Sequence, residues 1–228
     1  NKDIGSATPR PKTHCCGEYP STQWRWLWVC WANEEEYKMR YLLDYFATKL
    51  QQPARKVCKF LTAFARLTGV GKTTVRPFTE AIYGKDKVMF CDEITDYLAH
   101  ENSEQKGKLF IVVDDIESAT KKQSLALKSR VSSGTFKYKQ LYRDRVTLPD
   151  FCDLIATSNS RTPKFVDSDN RRDELVVCNT SLQNNTPEMN KFWSQFYETL
   201  DNPVLMGHWF WYLAHREITL NVRSMDVR

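Results

Sequence analysis

The sequence predicts an α/β domain on a largely parallel sheet, preceded by an aromatic and helical lead-in and followed by a helical cap. Three observations carry that expectation. Short apolar runs alternate with helix-like stretches from about residue 56, a glycine-rich turn joins the first run to a helix, and strand-like runs stop near residue 187. With 228 residues, 41% of them hydrophobic and 13% aromatic, the chain has apolar material for one well-packed core.

Residues 1–20 mix Pro, Gly, Ser, Thr and Lys without periodicity and are expected to form an extended arm or linker. Asn1 is no natural start, so the chain is expected to begin inside a longer protein. Residues 21–55 make the lead-in: Trp24, Trp26 and Trp28 alternate like one face of a strand, with Trp31 beside them. Asn33 is placed to cap a helix opening on Glu34, Glu35 and Glu36. Tyr37, Tyr41, Leu42, Tyr45, Phe46, Lys49 and Leu50 continue that helix at its spacing, and Pro53 ends it. The core, residues 56–186, holds strand candidates at Val57–Leu67, Val88–Phe90, Leu109–Val113 and Leu154–Thr157, with a further apolar run at Leu175–Val177. Residues 187–228 read as helices over Glu188–Leu200 and Val204–His215.

Composition narrows the function classes. No stretch reaches the eighteen or so apolar residues of a membrane helix, and there is no leader-like N-terminus, so a soluble, intracellular protein without a membrane partner is expected. Lys and Arg number 33 against 28 acids, a balance of +5 that permits a polyanionic partner without demanding one. The cysteines number 7, an odd count without a C-x-x-C pair, which points to reduced core thiols. His14, Cys15 and Cys16 lack a second pair to complete a zinc site.

The turn Gly69-Val70-Gly71-Lys72-Thr73-Thr74 follows the first strand candidate and opens a helix toward Ile82, the context of a P-loop. Glycines let successive N–H groups curl around an anion, and the helix start adds partial positive charge. Lys72 is then expected to reach the outer phosphates of ATP, and the Thr73 hydroxyl to ligate Mg2+. Arg66 stands where the first glycine of that motif normally lies. The run Leu109–Val113 ends in Asp114 and Asp115; Asp114 is expected to hold the magnesium and Asp115 to polarise the attacking water, with Glu117 as the alternative base. Leu154–Thr157 leads to Asn159, an amide placed to orient that water. Arg171 and Arg172 follow as candidates for an arginine finger donated to a neighbouring subunit.

The order of lysine loop, paired acids, Asn-ended strand and Arg pair resembles the D5-like superfamily 3 primase-helicases of large DNA viruses, phages and mobile elements. The resemblance runs from about residue 27 to 223. It includes Trp31-Ala32-Asn33-Glu34, Leu50-Gln51-Gln52-Pro53-Ala54-Arg55-Lys56, Gly71-Lys72-Thr73-Thr74, Thr157-Ser158-Asn159, Asp169-Asn170-Arg171-Arg172, Tyr212-Leu213 and Arg216-Glu217-Ile218-Thr219. Arg66, and Asp115 where a glutamate is common, depart from the pattern. The resemblance implies an AAA+-related core, a hexameric homo-oligomer, ATP-driven movement on single-stranded or forked DNA, and a primase domain elsewhere in the chain. For a viral protein it implies replication sites in the host cytoplasm or nucleus. It also implies a DNA-facing β-hairpin between the acids and the Asn strand, an interval that here holds Lys128, a Ser133-Gly134 turn and Phe136-Lys137-Tyr138-Lys139. Phe136 and Tyr138 are expected on one face of a strand, with Lys137 and Lys139 on the other, following phosphates. The residues also admit a switch, packaging or loader ATPase, and a scaffold that binds nucleotide or nucleic acid without turnover.

Overall fold

The computed structural model describes residues 21–114, 116, 120–160 and 173–222. Strands β1 (Phe60–Phe64), β2 (Val88–Cys91), β3 (Phe110–Val113), β6 (Asp153–Ser158) and β7 (Asp173–Val177) form a five-stranded sheet in the order β2-β3-β6-β1-β7. Every pairing in it is parallel. β1, β3 and β6 are buried along their whole length; β3 is apolar throughout, while β1 and β6 carry their apolar residues with a buried Thr62 in β1 and with Asp153, Thr157 and Ser158 at the ends of β6.

Alternation along the strands divides the core into two layers. Phe110 and Val112 of β3 and Ile155 of β6 join the large aromatic cluster on one face, while Ile111, Val113, Leu154 and Ala156 join a smaller cluster on the other. Helices α2 (Glu36–Gln51), α3 (Val75–Tyr83), α6 (Pro187–Leu200) and α7 (Pro203–His215) supply the first cluster. The second is closed by α4 (Ile94–Tyr97) and α5 (Lys121–Ser132). The helix starts are legible: Thr120 forms a capping box with Gln123, and Thr186 and Asn202 cap α6 and α7, each followed by Pro at N1.

The lead-in corrects the sequence expectation. Residues 22–31 are not a strand: α1 (Thr22–Arg25) passes into a π-helical turn over Trp26–Trp31, closed by the Ala32 N–H on the Leu27 carbonyl at 2.8 Å. Trp26, Leu27, Cys30 and Trp31 are the buried members, whereas Trp24 and Trp28 are only partly covered, so burial follows a helical period rather than period two. Asn33 does not cap α2 either. It sits at φ 52 in the turn before the helix, accepting from the Asn179 amide at 3.1 Å, and the capping position is taken by Glu35.

At the lower edge of the sheet, buried charges tie helix to strands. Lys49 of α2 meets Asp153 at 2.6 Å with both side chains fully buried, and also donates to the carbonyls of Arg55 and Phe151 at 2.9 and 2.6 Å. Lys56 pairs with Asp150 at 2.7 Å, and Lys59 pairs with Glu174. Asp44, buried on α2, accepts from Arg216 Nε at 2.6 Å and from the N–H groups of Thr219 and Leu220 at 3.0 and 2.9 Å. The sequence motif Arg216–Thr219 thus fastens the tail to α2.

Burial pushes the Asp153 carboxyl above its ordinary value, opposed by the Lys49 charge. Lys49→Met removes that opposition, so the protein is expected to lose about 3–5 kcal/mol at neutral pH. A raised carboxyl favours the protonated folded state, so the loss should grow as pH rises above the ordinary carboxylate range. Urea unfolding at pH 5 and pH 8 checks both parts.

Candidate functional site

The segment from Ala65 to Thr74 leaves the top of β1 and turns into α3. Gly69 and Gly71 sit at φ 73 and 95, conformations that side chains disfavour. A Cβ on Gly71 would lie 2.3 Å from Cη2 of Trp193, so that position admits no side chain without moving the indole. Arg66, in contrast, is exposed at the loop entry, which is how a bulky residue is accommodated there.

The carbonyls of this turn are tied to the protein one after another. The Thr68 carbonyl accepts from Gln183 Nε2 at 3.2 Å and the Gly69 carbonyl from the Asn184 N–H at 2.9 Å. The Val70 carbonyl accepts from Cys30 Sγ at 3.1 Å, and the Gly71 carbonyl from the indoles of Trp26 and Trp31 at 2.9 and 3.5 Å. In a trans peptide the C=O and the following N–H point in opposite directions, so the N–H groups of Gly69, Val70, Gly71 and Lys72 turn away from these donors. Successive amides arranged in this way favour an anion. The Cys30 thiol beneath the turn has its pKa held well above the usual thiol value, first by its contact with Cys178 and then by burial.

The turn lines a cavity of about 380 Å³ shared with Asp114, Thr157, Asn159, Asn184, Trp193 and Tyr197. Strand order explains the convergence: β3, β6 and β1 are neighbours, so the residues just beyond their C-terminal ends meet at one sheet edge. Lys72 is buried and donates to the carbonyls of Ala65 and Ser158 at 2.9 and 3.1 Å and to Oδ1 of Asn159. Thr157 Oγ1 donates to Oδ1 of Asp114, orienting that carboxylate. Thr73 is exposed at the cavity wall, and its hydroxyl and the Asp114 carboxylate are the oxygen donors suited to a hard divalent cation.

Of the site residues expected from sequence, Gly69, Val70, Gly71, Lys72, Thr73, Thr74, Asp114 and Asn159 line this one cavity. Asp115, Arg171 and Arg172 lie outside the described residues, as do Glu117 and the Asp169-Asn170 pair. The sequence reading missed Trp26, Cys30 and Trp31 as supports of the turn, and Asn184, Trp193 and Tyr197 as cavity walls. No local pattern announces them; they arrive from segments tens of residues away.

Between α5 and β6, β4 (Thr135–Tyr138) pairs antiparallel with β5 (Val146–Pro149) as a hairpin outside the main sheet. Phe136 is buried and Tyr138 half-buried, with Lys137 exposed between them. Lys139 lies beyond the strand, half-buried, its N–H donating to the Asn102 side chain at 2.9 Å. Ser133 and Gly134 turn the chain from α5 into β4, and the hairpin's own reversal falls later, over residues 139–145. Its tip exposes Leu141, Arg143, Arg145 and Tyr142, the last 96% accessible.

A family described as "Family of unknown function (DUF5906)" matches residues 66–172. No curated protein matches the chain. Among solved structures, the apo NrS-1 C-terminal region (305–718) superposes with a TM-score of 0.73 at 17% identity, covering 96% of this chain and 52% of that one. The A form of the same apo region gives 0.71 at 18% identity, over 96% and 51% of the two chains. JCV helicase, solved with a bound thiazolopyridinyl-phenoxyphenyl acetamide, gives 0.50 at 12% identity, over 86% and 54%. The chain thus spans about half the length of the structures it matches, and at such identities the likeness is one of fold, shared with a helicase.

Gly71→Ala should destabilise the protein by about 2–4 kcal/mol, combining overpacking against Trp193 with an unfavourable positive φ. Gly207→Ala, on α7 with open space around it, should be neutral or gain up to about 1 kcal/mol. Paired urea titrations compare them.

Proposed function

We propose that this chain is the ATP-hydrolysing motor of a superfamily 3 type, ring-forming DNA helicase with an AAA+-related P-loop core. One observation carries the reading: Lys72, Asp114 and Asn159, each beyond the C-terminal end of one of three adjacent parallel strands, converge on a single cavity walled by the Gly69–Thr74 turn. A chance glycine turn would have no reason to share a cavity with a carboxylate and an amide from two other strand ends. The fold-level likeness to JCV helicase agrees with it. In this reading residues 56–186 form the ATPase core, and 21–55 and 187–228 flank it.

The amides of Gly69–Lys72 bind the phosphate oxygens, and the Lys72 ammonium moves part of its bonding from Asn159 to the outer phosphates. Releasing Asn159 frees its amide to orient water in line with the γ-phosphorus. Thr73 and Asp114 fit Mg2+, whose chemistry when bound is to neutralise charge on the phosphates. Asp115 takes up the water proton as the new P–O bond forms and the bond to the β-phosphate oxygen breaks, releasing ADP and phosphate. Arg171 or Arg172 acts across a subunit boundary of the hexamer, stabilising charge on the transferred group. The β4–β5 hairpin follows single-stranded DNA, with Lys137 and Lys139 near phosphates and the exposed Tyr142 stacking on a base.

ATP hydrolysis measured with and without single-stranded DNA over a range of protein concentrations tests the motor. Turnover should rise with both, fall by at least about a hundredfold in Lys72→Ala, and fall comparably in Arg171→Ala/Arg172→Ala. Turnover indifferent to DNA points to a switch, loader or packaging ATPase; binding without turnover at every concentration points to a scaffold. On the hairpin, Lys137→Ala/Lys139→Ala should flatten the salt dependence of DNA binding by about one unit of slope per lost phosphate contact, and Tyr142→Ala should cost about 1–3 kcal/mol of binding. Unchanged affinity and salt slope in both variants would remove the hairpin from the DNA path.

A further inference from the structure

The π-helical turn of the lead-in has a geometric consequence at the cavity. Its backbone bonds run from residue i to i+5, as in Ala32 N–H to Leu27, which brings residues five apart toward one side of the helix. Trp26 and Trp31 are five apart, and both indole N–H groups reach the Gly71 carbonyl, at 2.9 and 3.5 Å. In an ordinary α-helix two such side chains would diverge. Both indoles are fully buried, Trp26 packed edge-on to Trp31 and Phe196 at 5.7 and 5.6 Å between ring centroids, so neither is free to reorient.

The Gly71 carbonyl and the Lys72 N–H belong to one planar peptide, so holding the carbonyl against the indoles holds that N–H toward the cavity. Without those donors the carbonyl loses its partners in an interior where an unpaired oxygen is costly, and a glycine, lacking Cβ, resists rotation about its ψ, and so of the following peptide, less than any other residue. A rotated peptide aims an oxygen, not an N–H, at the place where an anion must sit. We propose that Trp26 and Trp31 are positioning residues for phosphate binding, acting through their indole N–H groups on the Gly71–Lys72 peptide. The inference rests on the reading of the cavity as a polyphosphate site and assigns the lead-in a role in that site.

Trp209 provides the control. It lies in the same aromatic cluster, 6% exposed, and donates its indole N–H to Ser21 Oγ at 3.0 Å, away from the turn. Trp26→Phe, Trp31→Phe, Trp209→Phe and Lys72→Ala are compared with wild type for ATP and inorganic pyrophosphate affinity by calorimetry, and for thermal midpoint without ligand. Trp26→Phe should weaken both ligands by roughly five- to fiftyfold, with Trp31→Phe less affected because its bond is longer. Trp209→Phe should lower the thermal midpoint similarly while leaving both affinities within about twofold of wild type. Equal affinities in the Trp26, Trp31 and Trp209 variants overturn the proposal while the nucleotide site stands. A wild type that binds neither ligand overturns the nucleotide reading and the proposal with it. If Trp26→Phe does not fold, the contrast of Trp31→Phe with Trp209→Phe decides.

Discussion

Close packing at Gly71 leaves no room for a side chain, and the surrounding structure depends on that fit. With Trp193 Cη2 only 2.3 Å from the place where a Cβ on Gly71 would be, and Trp26 Cδ1 at 3.3 Å, the glycine is the point where lead-in, turn and C-terminal helix close on one another. Around it, Trp26 touches Phe78 and Phe196, Trp193 touches Phe196, and Phe78 touches Trp209, with ring centroids 5.1–5.6 Å apart. Edge-to-face contacts of this kind each add about 0.5–1.5 kcal/mol beyond the area they bury. The aromatic cluster is therefore the scaffold of the cavity wall, and Trp26, Trp31 and Trp193 are its members that touch the turn.

The two ends of the sheet are handled by different physics. At the start of the strands, buried pairs such as Lys49–Asp153 and Lys59–Glu174 join α2, β1, β6 and β7. Charges so far from water are tolerated only when paired, and a slipped register would leave them unpaired. At the other end the polar groups are gathered around open space: Lys72, Asp114, Thr157 and Asn159 bond to one another yet still face a cavity. Register enforced below aligns the strand ends above. Phe64 lies opposite Ser158, and Val113 opposite Ala156, which sets the turn, the acid and the amide at similar heights.

Much of the fold could be read from residues. The four core strand candidates each overlap an observed strand, the run Leu175–Val177 lies within β7, and the two C-terminal helices begin within a residue of where periodicity placed them. They were readable because a doubly covered parallel strand carries a short apolar run and because Thr, Asn and Pro mark helix starts. The lead-in was misread for an equally physical reason. Trp24, Trp26 and Trp28 imitate a strand's alternation, but the burial that matters involves Trp26, Cys30 and Trp31, whose partners are the carbonyls of residues 70 and 71. Local spacing carries no information about a partner forty residues away. At the hairpin, the alternation of Phe136 and Tyr138 with Lys137 was legible, but the exposed tip at Tyr142 was not, since strand length depends on how β4 meets β5.

By itself the sequence determined the main-sheet strand segments of the α/β core, the helix after the glycine turn and the chemical inventory: a glycine turn with Lys72 and Thr73, an acid after one strand and an amide after another. Those features are local, written in hydrophobic period, capping residues and glycine placement. Only the tertiary structure decided that Asp114 and Asn159 reach the same cavity as Lys72, because that depends on β6 lying between β1 and β3. It also decided that the tryptophans of the lead-in wind as a π-turn and hold the Gly71 peptide. A backbone carbonyl selects its donor by distance in space, and that distance exists only once the chain has packed.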